Sequence, residues 1–560
     1  MILPAWCRPS WPQPGVKRGG GGILRSFPAG ASRTSGCQTG LLELVRLAFG
    51  LVMMAVGWDT SCQHRRFDGK RIESAAMKTI AFQKCMNPNC GSTFDVGEAL
   101  TACRRCGELL DIDYDWSKAE LPKTLRDFQS RWQNRRFPLD YSGVWRFREL
   151  LPFAADAMVC TIGEGQTFLQ NAVCLGQKLG MWPGQLWLQY EGMNPSGSFK
   201  DNGMTAAFTH ARIVGAKRVA CASTGNTSAS VALYASLNGF QGIVFIGSGK
   251  IAFGKLSQAL DYGARTLQIE GDFDTCLARV RQVSGQLGLY LMNSVNPFRL
   301  EGQKTIMYRV LEALSWDAPD WIIVPGGNLG NCSAFGKAFQ ELKALGLLKR
   351  VPRLAIINAT GANTLCTLVD NGLKWNDGQV DDAAIVAHYA RMEKNNIHPH
   401  TIASAIEIGR PVNLKKSLRA LAVMNGVVAQ VTDEEILEAK ALVGRFGFAC
   451  EPASAATIAG LKQLLTKQII SRHERVACVL TGHGLKDPDA TVYYHTGIKT
   501  KDARQPQPEP TWGRLANKPI KVADDLEAIL RGLGLDASAI GNDVATGYVA
   551  TPGDWPFVEY

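Results

Sequence analysis

The sequence predicts an α/β protein whose core is parallel sheet with crossover helices. Two observations carry that expectation. Short apolar runs recur between helical stretches: "RVACAS" (218–223), "QGIVFIG" (241–247), "RTLQIEG" (265–271), "WIIVPGG" (321–327), "RLAIINAT" (353–360) and "VACVLTGHG" (476–484). Each is bounded by glycine or polar turns, the mark of strands buried on both faces. The pattern also extends from about residue 116 to 500, enough chain for two such sheets. Ligands of this class sit off the carboxyl ends of strands, so the tails of these runs are where chemistry is expected.

Taken in order, residues 1–76 differ from the rest. They carry ten Lys and Arg against four acids, and residues 1–40 contain no acid at all. "LLELVRLAFGLVMMAVGW" (41–58) is apolar but interrupted by Glu43 and Arg46, and its uninterrupted part is too short to span a bilayer. A transit peptide, a signal anchor and an over-extended start compete here. The last is preferred, because ordered-looking sequence begins right after Met77. The formal charge of +11 comes largely from this leader, so no nucleic-acid footprint follows.

Residues 77–115 hold Cys85-x4-Cys90 and Cys103-x2-Cys106, with Pro88, Gly91 and Gly107 at the turns. Two thiol pairs on two short turns suit a tetrahedral structural zinc, in a zinc-ribbon-like segment. Four unrelated buried cysteines are the competing reading, since the first spacing is loose. Fifteen cysteines at this length are too few for a disulfide scaffold and fit a reducing compartment.

Within the core, 116–500, "EGMNPSGSFKDNGM" (191–204) sets Lys200 among small and polar residues. A lysine that reaches a carbonyl needs such close backbone approach. "STGNTSAS" (223–230) follows one strand run and brings Ser223, Asn226 and Thr227 to a helix start. "PGGNLGN" (325–331) follows another and offers unobstructed N–H groups to a phosphate monoester. It lacks the dinucleotide spacing, and "GSGKIAFGKL" lacks that of a Walker A motif, which leaves Lys250 and Lys255 as ordinary surface or packing lysines. "LTGHGLKDP" (480–488) ends a third run with Thr481; His483 beside it reads as a turn residue rather than a base. "NSVNPFRLEGQKT" (293–305) adds Asn293, Ser294 and Arg299, suited to a second anion. A proline-rich linker, "KDARQPQPEP" (501–510), and a tail with one helical pattern, "DDLEAILRGLGL", complete the chain over 501–560.

From Cys85 to Tyr494 the motifs resemble, in order, those of the threonine synthase family. The pieces are the cysteine knuckles, "NPSGSFKDNGM", "CASTGNTSA", "GKLSQALDYGA", "NSVNPFRLEGQKT", "VPGGNLGN", "TIASAIEIGRPVN", "FACEPASAATIAGL" and "LTGHGLKDP". The resemblance implies a two-domain pyridoxal-phosphate fold of the tryptophan synthase β type, with helices flanking a central sheet in each domain. It implies that Lys200 forms the Schiff base with pyridoxal 5'-phosphate. Asn226 matches the partner of the phenolic oxygen, Thr481 that of the ring nitrogen, and Gly327, Asn328, Leu329, Gly330 and Asn331 the phosphate cradle. Ser196, Ser198, Ser223, Thr227, Asn293, Ser294 and Arg299 match substrate-holding positions. The implied reaction takes O-phospho-L-homoserine and water to L-threonine and phosphate, by γ-elimination and β-addition. Cysteate synthase or serine/threonine dehydratase is the alternative. A homodimer without nucleic-acid or membrane partners is expected in the cytoplasm, or in an organelle if the leader is a transit peptide.

Overall fold

A computed structural model describes residues 80–247, 253–270, 279–280, 282, 284–497 and 513–534. The expected leader, the linker 501–510 and Lys250 lie outside the described residues.

The first described segment is a three-stranded antiparallel sheet of β1 (Ala81–Cys85), β2 (Thr93–Asp95) and β3 (Leu110–Tyr114), in the order β2-β1-β3. Strands β4 (Leu169–Asn171) and β5 (Leu186–Tyr190) follow, then helix α1 (Lys200–Ile213). A four-stranded parallel sheet comes next: β6 (Arg218–Ala222), β7 (Gln241–Gly247), β8 (Arg265–Ile269) and β9 (Leu289–Leu291), in the order β8-β7-β6-β9. Helices α2 (Asn226–Asn238) and α3 (Phe253–Asp261) cross over between its strands. Helix α4 (Pro297–Ala313) then leads to β10 (Trp321–Pro325), α5 (Gly330–Ala344), β11 (Arg353–Ala359), α6 (Leu414–Val423) and β12 (Val427–Val431). The elements α7 (Asp433–Arg445), α8 (Pro452–Thr466) and β13 (Val476–Leu480) precede the tail helix α9 (Leu526–Leu533).

The second large sheet has the order β12-β11-β10-β13-β5-β4, parallel except for β4. All six apolar runs read from the sequence contain a strand. Both faces of this sheet are covered, as its composition requires. Trp321 and Ile323 enter one apolar core, while Ile322 and Val324 enter the other. The smaller sheet divides likewise, with Val219 and Cys221 on one side and Ala220 and Ala222 on the other.

Helices α1 and α4 are buried along most of their length and pack closely on each other. Glycine makes this approach possible: a Cβ on Gly302 of α4 would come within 1.8 Å of Asn202 O on α1. Both helices begin at the site described below.

The small antiparallel sheet is tied to the core by buried charge. Asp111 pairs with Lys416 at 2.8 Å and Arg419 at 2.6 Å, both on α6. Tyr114 Oη donates to Glu301 on α4 at 2.6 Å. Glu301 in turn pairs with Lys304 at 2.7 Å and Lys337 at 2.8 Å. Burial alone would raise the Glu301 carboxyl, but the two ammonium groups outweigh it and hold the carboxyl below its ordinary range. Removing one member of such a cluster leaves charge buried without its partner. Glu301→Gln is expected to destabilise the fold by about 3–5 kcal/mol at neutral pH, seen as a lower urea midpoint. Because the folded carboxyl is held below its unfolded value, the deficit should shrink as pH falls through the carboxylate range. An unchanged midpoint at neutral pH would refute this account.

Candidate active site

The carboxyl ends of β10, β13 and β5 lie side by side in the larger sheet. From β5 the chain enters a turn at Glu191–Met193 and the small-residue loop that ends at Lys200, the first residue of α1. From β10 it passes through Gly326 and Gly327 into the start of α5. From β13 it reaches Thr481 and Gly482, and Phe199 N–H donates to Thr481 O at 2.9 Å, fastening the lysine loop to that strand end.

A cavity opens where these ends meet. It gathers Lys200, Asn226, Ser294, Arg299, Gly327, Asn328, Leu329, Gly330, Asn331 and Thr481 from the residues singled out in the sequence. The others sit around it. Ser196 lines a second cavity, together with His483 and Lys486. Ser198 is buried beside Gly482, and its hydroxyl has no hydrogen-bond partner among the described residues. Ser223 Oγ accepts from Gly225 N–H at 3.2 Å, and Thr227 lies half-buried in the first turn of α2. Asn293 spends both ends of its amide on the backbone of Ala222, at 3.0 Å each, and so clamps the end of β6. His483 is a turn residue, its Nδ1 accepting from Leu485 N–H at 3.1 Å.

The cradle is a helix start. Leu329, the residue before α5, holds a left-handed backbone with φ 62°, an uncommon state for a branched side chain that clusters at ligand sites. The first N–H groups of α5 have no partner within the helix. A Cβ on Gly327 would lie 3.0 Å from Ile406 Cα, so the cradle excludes side chains at that point.

Charge in the cavity is arranged around Lys200. Burial draws its amine down to about 7, and the nearby Arg299 guanidinium adds to this while Glu451 opposes it. Arg299 is itself buried. Its Nη1 donates to Met292 O at 3.0 Å, but its Nε has no acceptor and it makes no ion pair with a carboxylate among the described residues. Burial pulls the guanidinium to about 10, so it stays cationic at neutral pH. The sequence reading missed Gln303, Asn413 and Glu451, which also line the cavity. Glu451 had a visible signal, an acid directly before the proline that opens a helix in "FACEPASA".

Away from this cavity, the Sγ atoms of Cys85, Cys90, Cys103 and Cys106 all lie within 4.8 Å of one another. Two of the separations are 3.4 Å (Cys85 to Cys106) and 3.8 Å (Cys90 to Cys103). Thiolates around zinc at about 2.3 Å in a tetrahedron stand about 3.8 Å apart.

Comparison with known proteins agrees with this geometry. Residues 160–482 match the family of pyridoxal-phosphate dependent enzymes. Threonine synthase of Methanocaldococcus jannaschii is 41% identical over 80% of this chain and 98% of that protein. The chain is 40% identical to threonine synthase of Methanosarcina acetivorans, over 73% of this chain and 93% of that one. The chain belongs to the threonine synthase family. Threonine synthase 2, chloroplastic, of Arabidopsis thaliana is a more distant relative, 35% identical over 74% of this chain and 77% of that protein. Membership in the threonine synthase family places the chain among pyridoxal-phosphate enzymes with the tryptophan synthase β type of fold. Among the described residues no helix is long and apolar enough to cross a membrane.

The depressed lysine has a measurable consequence. In cofactor-free protein, the reactivity of Lys200 toward an aldehyde reagent is expected to rise through about pH 7, rather than near the ordinary lysine value of about 10.4. Arg299→Leu removes a neighbouring cation, so the midpoint should move up. A midpoint above pH 9 in the parent protein would contradict the burial argument.

Proposed function

We propose that the protein is a threonine synthase, converting O-phospho-L-homoserine and water to L-threonine and phosphate with pyridoxal 5'-phosphate bound at Lys200. The observation that carries this reading is one cavity joining a depressed lysine, a neutral helix-start cradle and a buried cation that no carboxylate pairs among the described residues. The residues fit the cofactor. Gly327, Asn328, Leu329, Gly330 and Asn331 would hold its phosphate, Asn226 its phenolic oxygen, Thr481 its ring nitrogen and Lys200 its aldehyde carbon. When bound, the cofactor supplies the electron sink for carbanions beside the substrate nitrogen.

The chain's own residues do the rest. Arg299, with Ser294 beside it, grips the substrate phosphate through charge-assisted hydrogen bonds. Hydroxyls of Ser196, Ser198, Ser223 and Thr227 hold the substrate's other polar ends, and Asn293 fixes the strand end from which Ser223 projects. Protons must leave Cα and Cβ before phosphate departs from Cγ; Cγ then takes up a proton to become the methyl group, water adds its hydroxyl at Cβ, and Cα is reprotonated. An amine titrating near neutrality both accepts and returns such protons, which suits Lys200 Nζ as the shuttle. Phosphate release from O-phosphohomoserine against O-phosphoserine tests the assignment; preference for O-phosphoserine would favour cysteate synthase, and the relatives do not point that way.

Arg299→Leu is expected to raise the KM for O-phosphohomoserine and leave the spectrum of the bound cofactor unchanged. Loss of a charged partner from a buried phosphate costs about 2–5 kcal/mol, or roughly 30-fold to several thousand-fold. Lost cofactor with an unchanged KM would mean that the two phosphates are assigned to the wrong sites.

We further propose that the four cysteines hold a structural zinc, and that the enzyme works in the reducing cytoplasm. The described cysteines are unbridged, and the four-thiol set leaves no open position for substrate. Replacing Cys103 and Cys106 by Ser should lower the thermal midpoint while leaving the chemical step at low temperature close to the parent rate. Metal analysis that finds no zinc in protein purified under reducing conditions would exclude this site.

A further inference from the structure

The loop that ends at Lys200 is fixed to the tail of β13. Phe199 N–H donates to Thr481 O and His483 N–H donates to Gly197 O, both at 2.9 Å, and Ser198 bridges Gly482. On this rim two charged side chains hold one residue, Ser196, by opposite ends of its backbone. Asp201 Oδ2 accepts from Ser196 N–H at 2.7 Å. Lys486 Nζ donates to Ser196 O at 3.1 Å.

Each of the two also reaches away from the loop, toward a helix of the smaller sheet. Asp201 Oδ1 accepts from the Ser230 hydroxyl on α2, and Lys486 Nζ donates to Gln258 Oε1 on α3. Ser230 lies one turn beyond Asn226, on the same face of α2. Asp201 is fully buried. Burial pushes its carboxyl up to about 6, and the bonds from Ser230 and Ser196 work against that rise. A buried carboxylate keeps its place only where such donors satisfy it. Lys486 crosses the loop at Gly197, whose backbone is left-handed with φ 81°. A Cβ there would stand 3.2 Å from Lys486 Cδ.

We propose that Asp201 and Lys486 are positioning residues, a pair of straps that run from Ser196 to α2 and α3 and set the start of α2 against the lysine loop. On the proposed reading Ser223 and Thr227, at that start, hold the substrate, and the role of the straps rests on it. Lys200 and the cradle follow strands of the larger sheet, whereas Ser223 and Thr227 follow β6 of the smaller one. A substrate that touches both groups binds well only if their separation is fixed. Ser230 and Gln258 stand outside the lining of the cavity that holds Lys200. Any effect of cutting them on substrate binding is therefore transmitted through the straps.

Ser230→Ala and Gln258→Leu remove the outer attachments and leave Ser196 untouched. Each is expected to raise the KM for O-phosphohomoserine about 2- to 10-fold, the worth of one hydrogen bond, with kcat and the absorbance of the bound cofactor unchanged. Gln258→Glu keeps an acceptor for Lys486 and should return KM to the parent value, which a change of packing alone would not do. Lys486→Met should raise KM at least as far as Gln258→Leu. Adding Gln258→Leu to it should change nothing more, because the two groups share one bond. An unchanged KM in either Ser230→Ala or Gln258→Leu overturns the proposal, and so does a Gln258→Glu variant that behaves like Gln258→Leu. Multiplied effects in the double variant overturn it too, since Gln258 would then act through another contact. A displaced cofactor band in either outer variant means general loosening of the site and also overturns it. Parent protein that releases no phosphate from O-phosphohomoserine is a different failure: the proposed function falls first, and the straps lose their role with it.

Discussion

The lysine loop depends on one buried carboxylate, Glu191, at the end of β5. It pairs with Arg309 at 2.6 Å and accepts from Thr167, Gln189, Asn194 and Asn202 at 2.6–3.0 Å. Burial works against its ionised form, but Arg309 and these hydrogen bonds outweigh burial and keep the carboxyl below its ordinary range. A buried charge holds its place only when it is satisfied this fully. Each partner belongs to a different part of the site. Asn194 lies in the loop that leads to Lys200, Asn202 lies in the first turn of α1, and Arg309 lies on α4, the helix that opens with Arg299. The separation of lysine and arginine at the cavity is thereby set from beneath, by an ion pair that touches neither.

The same helix is braced from outside. Glu301, between Arg299 and Arg309 on α4, takes the Tyr114 hydroxyl of the small antiparallel sheet. Asp111 of that sheet holds α6 through Lys416 and Arg419. Directly before α6, Asn413 donates to Ser294 O at 3.2 Å and Asn328 O at 3.3 Å. It joins the end of the cradle to the residue beside Arg299. On the proposed zinc reading, metal binding stabilises the sheet whose Asp111 and Tyr114 anchor both helices, and it supports the site without any contact with substrate.

What the sequence disclosed and what it hid follow from the range of the interactions. Strands buried on both faces are written as local apolar runs, so β6, β7, β10, β11 and β13 were legible; β8 was read in the same way, although it is an edge strand with no fully buried residue. Strand β5 was not, because "LWLQY" carries Gln189, which is polar yet buried and bonded to Thr167 and Glu191. Three-residue β9 and the half-buried edge strand β12 lack a run long enough to stand out. Lys200, Asn226, the cradle and Thr481, which line one cavity, could be singled out because glycine and small polar residues mark the turns at strand tails. Glu191 opened the very stretch that was read for Lys200 and still escaped notice. Its partners lie up to 118 positions away, and nothing local tells a buried acid from a solvated one. Asn293 shows the same limit of range: its residue type suits a ligand, and only the tertiary structure reveals that its amide also bonds the backbone of Ala222.

The electrostatics of the cavity acquire a direction once substrate is considered. Arg299 is a cation without a carboxylate partner among the described residues, and as a free amine Lys200 is lowered to about 7 by burial with Arg299 adding to the effect. On the proposed reading, Arg299 then receives the substrate phosphate, whose negative charge at least cancels that of the guanidinium. A neighbouring cation lowers an amine's proton affinity, so cancelling it raises that affinity. In a buried site little solvent screening blunts the change. Lys200 is thus least basic when it must remain an uncharged nucleophile, and more basic when it must take a proton from Cα. One arginine serves both tasks because it stands in the same cavity as the lysine. That placement follows from the close packing of α1 on α4 at Gly302, where any side chain would push the two apart.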